Sequence, residues 1–266
     1  MPYVVTAEGL RAYYEHAGKG PALVMVHGAS QDSLSWKYVI DLFAQHYSVY
    51  VLDLPGHGKS SLPAGGPYDA TPDNARYVLQ FLAAMQIRDA VLMGHSMGGG
   101  VVAQAAALSP DQVRGLVLVD GASVNVVKSS GYNPDILNMA RINPGDWFEV
   151  SFRTLMGSAV SDERVEDIIA DARRCNPAVA FADICAFGGF RMEHILQDIR
   201  CPVVIVEGLE DWSVPPESAR EVARRLSEAQ IAVEYIEWQN VGHFPQSECP
   251  EPFYQDTRAA MMRLSL

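Results

Sequence analysis

Residues 94–98 read Gly-His-Ser-Met-Gly, between an apolar β-like run at 90–93 and an Ala/Val-rich helical run at 101–108. That context demands a strand, a sharp turn and a helix within a few residues. Side chains flanking so tight a turn would collide with the strand and helix. Gly94 and Gly98 remove them, and Ser96 is expected to carry a strained backbone. Such a turn pushes a serine hydroxyl out of a sheet edge, where a base and fixed N–H donors can make it nucleophilic. A chain with this feature is expected to be an α/β protein whose chemistry starts at Ser96.

The 266 residues suffice for one large α/β domain with an insertion. With 48% hydrophobic and 20% charged residues, the composition is that of a soluble globule. A net charge of −12 sets it against nucleic acid and anionic membrane surfaces as partners. The four cysteines form no C-x-x-C pair and no Cys/His ligand cluster, so no metal and no cofactor are expected. The N-terminus lacks a basic region followed by an apolar stretch, and no run is long enough to span a membrane, which reads as a cytoplasmic protein. Homo-oligomerisation is left open by the sequence.

Along the chain, residues 3–6 and 10–16 suggest an opening hairpin. The runs 22–27 and 48–53 are continuous and apolar, as befits strands covered on both faces. A short helix is expected over 35–45. Helical spacing over 72–85, a strand at 89–93, a helix over 96–108 and a strand at 114–120 complete a β-α alternation, the mark of a mostly parallel sheet. The alternation stops from 121 to about 198. There, helical segments at 134–141, 147–156, 162–175 and 177–187 are separated by Asn-Pro, Gly and Ser breaks. It resumes with a strand at 202–207, a helix over 216–229, a strand at 232–237 and a closing helix over 252–264. The expected division is therefore a core of residues 1–120 and 199–266 with a helical cap, 121–198, inserted between two strands.

An activated serine needs a base, a group that orients the base, and an oxyanion site. His243 lies in a loop directly after the last strand, at the sheet edge where Ser96 also sits. His57 also follows a strand but precedes the nucleophile, and a role in shaping its loop suits it better. Asp211 follows the strand before the one leading to His243. Asp120, at the end of the preceding strand, and Glu210, which would point the other way, are competing carboxylates. The oxyanion donors expected are the N–H of Met97, at a helix start, and that of Ala29, in the loop after the strand at 22–27 where Gly28 lets the chain turn. Trp147, Phe152 and Phe187, with Met139 and other cap residues, predict an apolar pocket. Gly28, His95, Trp36 and Trp212 are further candidates for lining it.

In these segments the chain resembles the α/β-hydrolase superfamily: His27-Gly28, Asp53-Leu54-Pro55-Gly56-His57-Gly58-Lys59-Ser60, Gly94-His95-Ser96-Met97-Gly98-Gly99, Gly208-Leu209-Glu210-Asp211 and Gly242-His243-Phe244. No one of these is specific; all five in order over nearly the full length are. The resemblance implies an eight-stranded, mostly parallel sheet with helices on both faces, a Ser96-Asp211-His243 triad above its carboxyl edge, and a lid over Ser96. Relatives that form alkyl-ester intermediates need a carboxylate at the elbow, which Ser96 excludes. Carbon–carbon bond hydrolases of meta-cleavage diketones keep serine but usually carry His-Gly-x-Gly-Pro-Gly in the oxyanion loop. Here that loop reads His27-Gly28-Ala29-Ser30-Gln31-Asp32. The expectation is a serine esterase acting on a small, largely apolar ester, with carbon–carbon hydrolysis or a perhydrolase side activity as the alternative.

Overall fold

The computed structural model describes residues 2–124, 138 and 140–266. The expected helix over 134–141 falls largely outside the described residues, as does Met139. Eight strands form one sheet: β1 (Tyr3–Val5), β2 (Arg11–Ala17), β3 (Ala22–Val26), β4 (Ser48–Leu52), β5 (Ala90–His95), β6 (Val113–Val119), β7 (Val203–Gly208) and β8 (Val233–Trp238). Their order is β1-β2-β4-β3-β5-β6-β7-β8. β1 and β2 pair antiparallel, as do β2 and β4, and every pair from β4 onward is parallel. This is the α/β-hydrolase fold.

The central strands read as unbroken apolar runs because both faces are covered. Side chains alternate between two buried layers. Leu23, Met25, Val91 and Met93 enter one, with Trp36, Phe43 and Phe253; Val24, Val26, Leu92 and Leu116 enter the other, with Val78, Phe81 and Val101. The edge strand β8 differs. Its sequence Val-Glu-Tyr-Ile-Glu-Trp places one carboxylate on each face, it is only half-buried, and Glu234 and Glu237 pair with Arg263 and Arg220.

The helices are α1 (Ile40–Phe43), α2 (Thr71–Ala84), α3 (Met97–Leu108), α4 (Pro144–Leu155), α5 (Asp162–Ala172), α6 (Pro177–Gly189), α7 (Pro216–Glu228), α8 (Pro245–Glu248) and α9 (Pro250–Arg263). The single helix expected over 35–45 is instead a 3₁₀ turn, Ser33–Trp36, followed by the four residues of α1. Asp32 starts that tight turn by accepting the Leu34 N–H at 2.9 Å, and Trp36 is buried completely. The Trp-Lys-Tyr-Val run that follows has little helix propensity to override it.

Between β6 and β7 the described chain is helical. α4, α5 and α6 begin on Asn143, Ser161 and Asn176, whose side chains accept the N–H groups of Asp146, Arg164 and Ala178. Proline at the first turn of α4 and α6 fixes where each starts. Phe148, Phe152, Leu155, Ile168, Ile169, Ala180 and Ile184 form their common apolar cluster, which closes on Phe244 of the core. α3 is buried from Met97 to Ala106 on all sides rather than on one stripe, within the other layer.

Candidate active site

The turn from β5 into α3 places Ser96 at φ 52°, ψ −120°, a conformation costly for any residue with a side chain. Two hydrogen bonds hold it there: Ser96 N–H donates to Val119 O at 2.9 Å, and Gly99 N–H to Ser96 O at 2.8 Å. The glycines are required by packing. A Cβ on Gly94 would lie 2.2 Å from Gly98 O, and one on Gly98 would lie 2.5 Å from His27 O.

His243 Nε2 lies 2.8 Å from Ser96 Oγ, and His243 Nδ1 lies 2.6 Å from Asp211 Oδ2. Asp211 Oδ1 accepts the N–H groups of Ser213 at 2.7 Å and Val214 at 3.2 Å, which orients the carboxylate. All three side chains are nearly buried. Because a carboxylate can only accept, the proton of a neutral His243 ring sits on Nδ1. Its lone pair at Nε2 therefore faces the serine hydroxyl.

The competing carboxylates are engaged with other partners. Glu210 points toward the helical segment, accepting the Ser158 N–H and hydroxyl. Asp120 is close to Asp211 and His243, but its Oδ1 accepts the Gly208 N–H at 2.9 Å. Burial, reinforced by the Asp211 charge, drives the Asp120 carboxyl well above the usual range. Its neighbour Glu207 is driven the same way by burial and by Asp120.

The loop after β3 lies against the serine. A Cβ on Gly28 would come within 3.1 Å of Ser96 Cβ and 2.8 Å of both Gln31 Oε1 and His95 Nδ1. Gly28 O accepts from His27 Nδ1–H at 2.8 Å and from Gln31 N–H at 3.3 Å. The proton is on Nδ1 because His27 Nε2 accepts the Leu54 N–H at 3.1 Å, and burial holds the ring neutral with a pKa lowered to about 4. In a trans peptide the N–H points opposite to the carbonyl, so the Ala29 N–H is turned away from His27 and Gln31. No described residue accepts a hydrogen bond from the N–H of Ala29 or of Met97.

The remaining sequence candidates are dispersed. His95 is a strut, its Nδ1 2.9 Å from Gln31 Oε1 and its Nε2 2.6 Å from His243 O. Trp36 is fully buried in the sheet core with Val39 and Phe43. Trp212 is 53% exposed, its indole N–H donating to Thr154 O. Phe152 packs on Phe244 with ring centroids 4.8 Å apart, directly beside His243. Trp147 meets Phe148 edge-on, and Phe187 packs half-buried on the layer containing α3.

Two supports escaped the sequence reading. Glu248 accepts three N–H groups, those of Gly157, Gly242 and Phe244, at 2.9 to 3.0 Å, and so fixes the chain on both sides of His243. Asp183, on α6, accepts from His57 Nε2–H at 2.9 Å and from Ser30 N–H at 2.8 Å. It is the only charged residue of an otherwise apolar helix, which is the signal that could have exposed it. His57, Asp183 and Cys175 bring three ligand-type atoms together, as do Asp120, Asp211 and His243. In both groups the hydrogen bonds above already engage atoms a metal ion would take.

The model of the alpha/beta hydrolase family matches residues 23–256, and the chain belongs to that family. It is 28% identical over 269 residues to the 2-hydroxy-6-oxo-6-(2'-aminophenyl)hexa-2,4-dienoic acid hydrolase of Metapseudomonas resinovorans, covering 97% of this chain and 90% of that protein. It is 27% identical over 254 residues to the pimeloyl-[acyl-carrier protein] methyl ester esterase of Aeromonas salmonicida, covering 92% and 96%. A 38% match to the dihydrolipoyllysine-residue acetyltransferase component of the acetoin cleaving system of Cupriavidus necator spans 47% of this chain and only 33% of that longer protein. Among solved structures, a thermophilic esterase from Thermogutta terrifontis superposes with a TM-score of 0.86 over 98% of each chain at 22% identity, a likeness of fold. Among the described residues no helix is long and apolar enough to cross a membrane.

Proposed function

We propose that the protein is a serine hydrolase that cleaves a carboxylic ester of a small, largely apolar substrate through an acyl-Ser96 intermediate. The observation that carries this reading is the hydrogen-bonded line Asp211–His243–Ser96, at 2.6 and 2.8 Å. Ser96 Oγ attacks the ester carbonyl carbon as its proton passes to His243 Nε2. Asp211 holds the ring in the productive tautomer and balances the imidazolium charge. The N–H groups of Ala29 and Met97 receive the negative carbonyl oxygen. The tetrahedral adduct then expels the alcohol, which takes the proton from His243, and leaves acyl-Ser96. Water repeats the sequence, giving up its proton to His243 and releasing the acid and free Ser96. Residues 121–198 serve as a cap, whose aromatic cluster reaches His243 through Phe152 and Phe244.

The esterase relative of Aeromonas salmonicida, matched over nearly its full length, supports the ester. The test is hydrolysis of p-nitrophenyl acetate and butyrate beside a meta-cleavage diketone, with stoichiometric labelling by a fluorophosphonate. The wild type should be labelled and should prefer the esters. Ser96→Ala should fold normally, resist labelling and lose at least about 10⁴-fold in kcat. Wild-type turnover in that variant would remove the serine mechanism, and preferential cleavage of the diketone would move the activity to carbon–carbon hydrolysis.

A further inference from the structure

The loop that offers the Ala29 N–H is gripped from the cap. Ser30, the next residue, has φ 57°, a left-handed conformation in which a side chain is disfavoured. Two hydrogen bonds from Ser30 reach the helical segment: its N–H donates to Asp183 Oδ2 at 2.8 Å, and its hydroxyl to Ala172 O at 3.4 Å. The Ala29 methyl packs against the apolar cluster of the same helices. Two residues further on, both carboxylate oxygens of Asp32 accept from Arg174, between α5 and α6.

Two peptide planes meet at Ala29. The one before it is pinned from the core, through the bonds of His27 and Gln31 to Gly28 O. The one after it is pinned by Asp183 alone among the described backbone and side-chain acceptors of Ser30 N–H. Asp183 is 1% exposed and lies on a helix that otherwise buries only apolar side chains, so it is an expensive residue to place there without a task. The same Oδ2 accepts from His57, which supplies a counter-charge on the core side.

We propose that Asp183 is a positioning residue for the oxyanion hole, so that seating the cap completes the hold on the Ala29 N–H that the core begins at Gly28 O. The proposal rests on the esterase reading of Ser96. With the cap helix α6 withdrawn, the strained Ser30 backbone loses its acceptor and relaxes, the peptide plane after Ala29 is free to turn, and the plane that carries the Ala29 N–H is held only by its bonds at Gly28 O. The enzyme would therefore bind substrate with the cap displaced but stabilise the tetrahedral adduct only with the cap seated.

Asp183→Ala and Asp183→Asn separate this role from a merely structural one. The alanine variant removes the acceptor and should lose about 10²-fold in kcat, the cost of one misplaced oxyanion donor, with KM nearly unchanged. Its Ki for a trifluoromethyl ketone, which forms a tetrahedral adduct on the serine, should rise by the same factor. The asparagine variant keeps a weaker, neutral acceptor and should lose only roughly 3- to 10-fold in kcat, again matched by the ketone. Should alanine abolish folding, the asparagine variant decides alone. Wild-type kcat in a folded variant, or a KM that rises as much as kcat falls, overturns the positioning role. A wild type that is neither labelled nor active on esters overturns the esterase reading and this proposal with it.

Discussion

Two buried carboxylate–imidazole pairs lie on either side of the loop after β3. Asp211–His243 is 2.6 Å long and Asp183–His57 is 2.9 Å, and no side chain of the four is more than 4% exposed. What separates them is the other ring nitrogen. His243 Nε2 meets the Ser96 hydroxyl, which can donate to it. His57 Nδ1 meets Pro55 O at 3.2 Å, which can only accept. With acceptors at both nitrogens, His57 satisfies both only as an imidazolium. Burial is the largest single influence and lowers its pKa, but the Asp183 charge and hydrogen bond, with Pro55 O and the Asp53 charge, together outweigh it and the net displacement is upward. A histidine beside a buried acid is thus a base or a clamp according to what its far nitrogen faces.

The largest break in this comparison is Asp211→Asn. The amide can present its NH₂ group to His243 Nδ1, which moves the ring proton to Nε2 and removes the lone pair that Ser96 needs. The expected loss in kcat is about 10³- to 10⁴-fold, with KM little changed, measured on p-nitrophenyl butyrate at pH 8. Asp120→Asn is the control that sharpens it. Asp120 is engaged with Gly208 N–H, so the same substitution there should cost less than about tenfold. Equal losses would mean that the two carboxylates share the role.

The clamp should fail differently. His57→Gln leaves Asp183 buried with a neutral partner, and stability should drop by about 3 kcal/mol while kcat falls far less than in Asp211→Asn. Its sign with pH follows from the raised pKa. The folded His57 binds its proton more tightly than the unfolded one, whose pKa is about 6.5. Its contribution is therefore fully present below about pH 6.5 and is lost as pH rises through the folded-state value. Urea unfolding at pH 6 and pH 9 should show a steeper decline in the wild type than in His57→Gln. Parallel declines in both proteins would show that His57 is not the clamp.

The hydrogen-bonded line Asp211–His243–Ser96 was legible in the sequence and the Asp183–His57 pair was not, for a physical reason. Ser96 and Asp211 follow strands whose apolar runs are unmistakable, His243 follows the half-buried edge strand β8, and the parallel sheet carries all three to one edge. Glycines that no side chain can replace mark the turns, as Gly94 and Gly98 do. The partner of His57 lies on α6, a helix whose docking angle no local pattern encodes. Asp183 announced that something polar was buried, without saying what. The same limit applies to the pocket. Trp36 is an aromatic near the oxyanion loop in sequence, yet its side chain turns into the sheet core, while Trp212 turns outward to Thr154. Glu248, which braces the loop around His243, belongs to a stretch with no recognisable motif, and Gln31 lies in a loop that was read for its backbone N–H alone.

The smallest expected effect concerns the carboxyls behind the catalytic pair. Asp120 and Glu207 are fully buried, and as carboxylates both oxygens of Glu207 and Oδ2 of Asp120 have no hydrogen-bond partner. Burial and mutual repulsion raise both, which favours a proton held between them that Glu207 can donate to Asp120. This leaves less charge to compete with Asp211 for the His243 imidazolium. A glutamine at 207 offers a permanent N–H donor of nearly the same shape. Above the unfolded carboxyl pKa of about 4.3, the wild-type folded state binds more protons than the unfolded one, and its stability falls as pH rises toward the raised folded value. Glu207→Gln removes that decline. The variant should match the wild type near pH 5 and exceed it by about 1 kcal/mol at pH 8, with kcat changed less than about threefold. A variant less stable than the wild type at pH 8 would mean that Glu207 is ionised and held by a partner, and that Asp211 does not act as the lone anion beside His243.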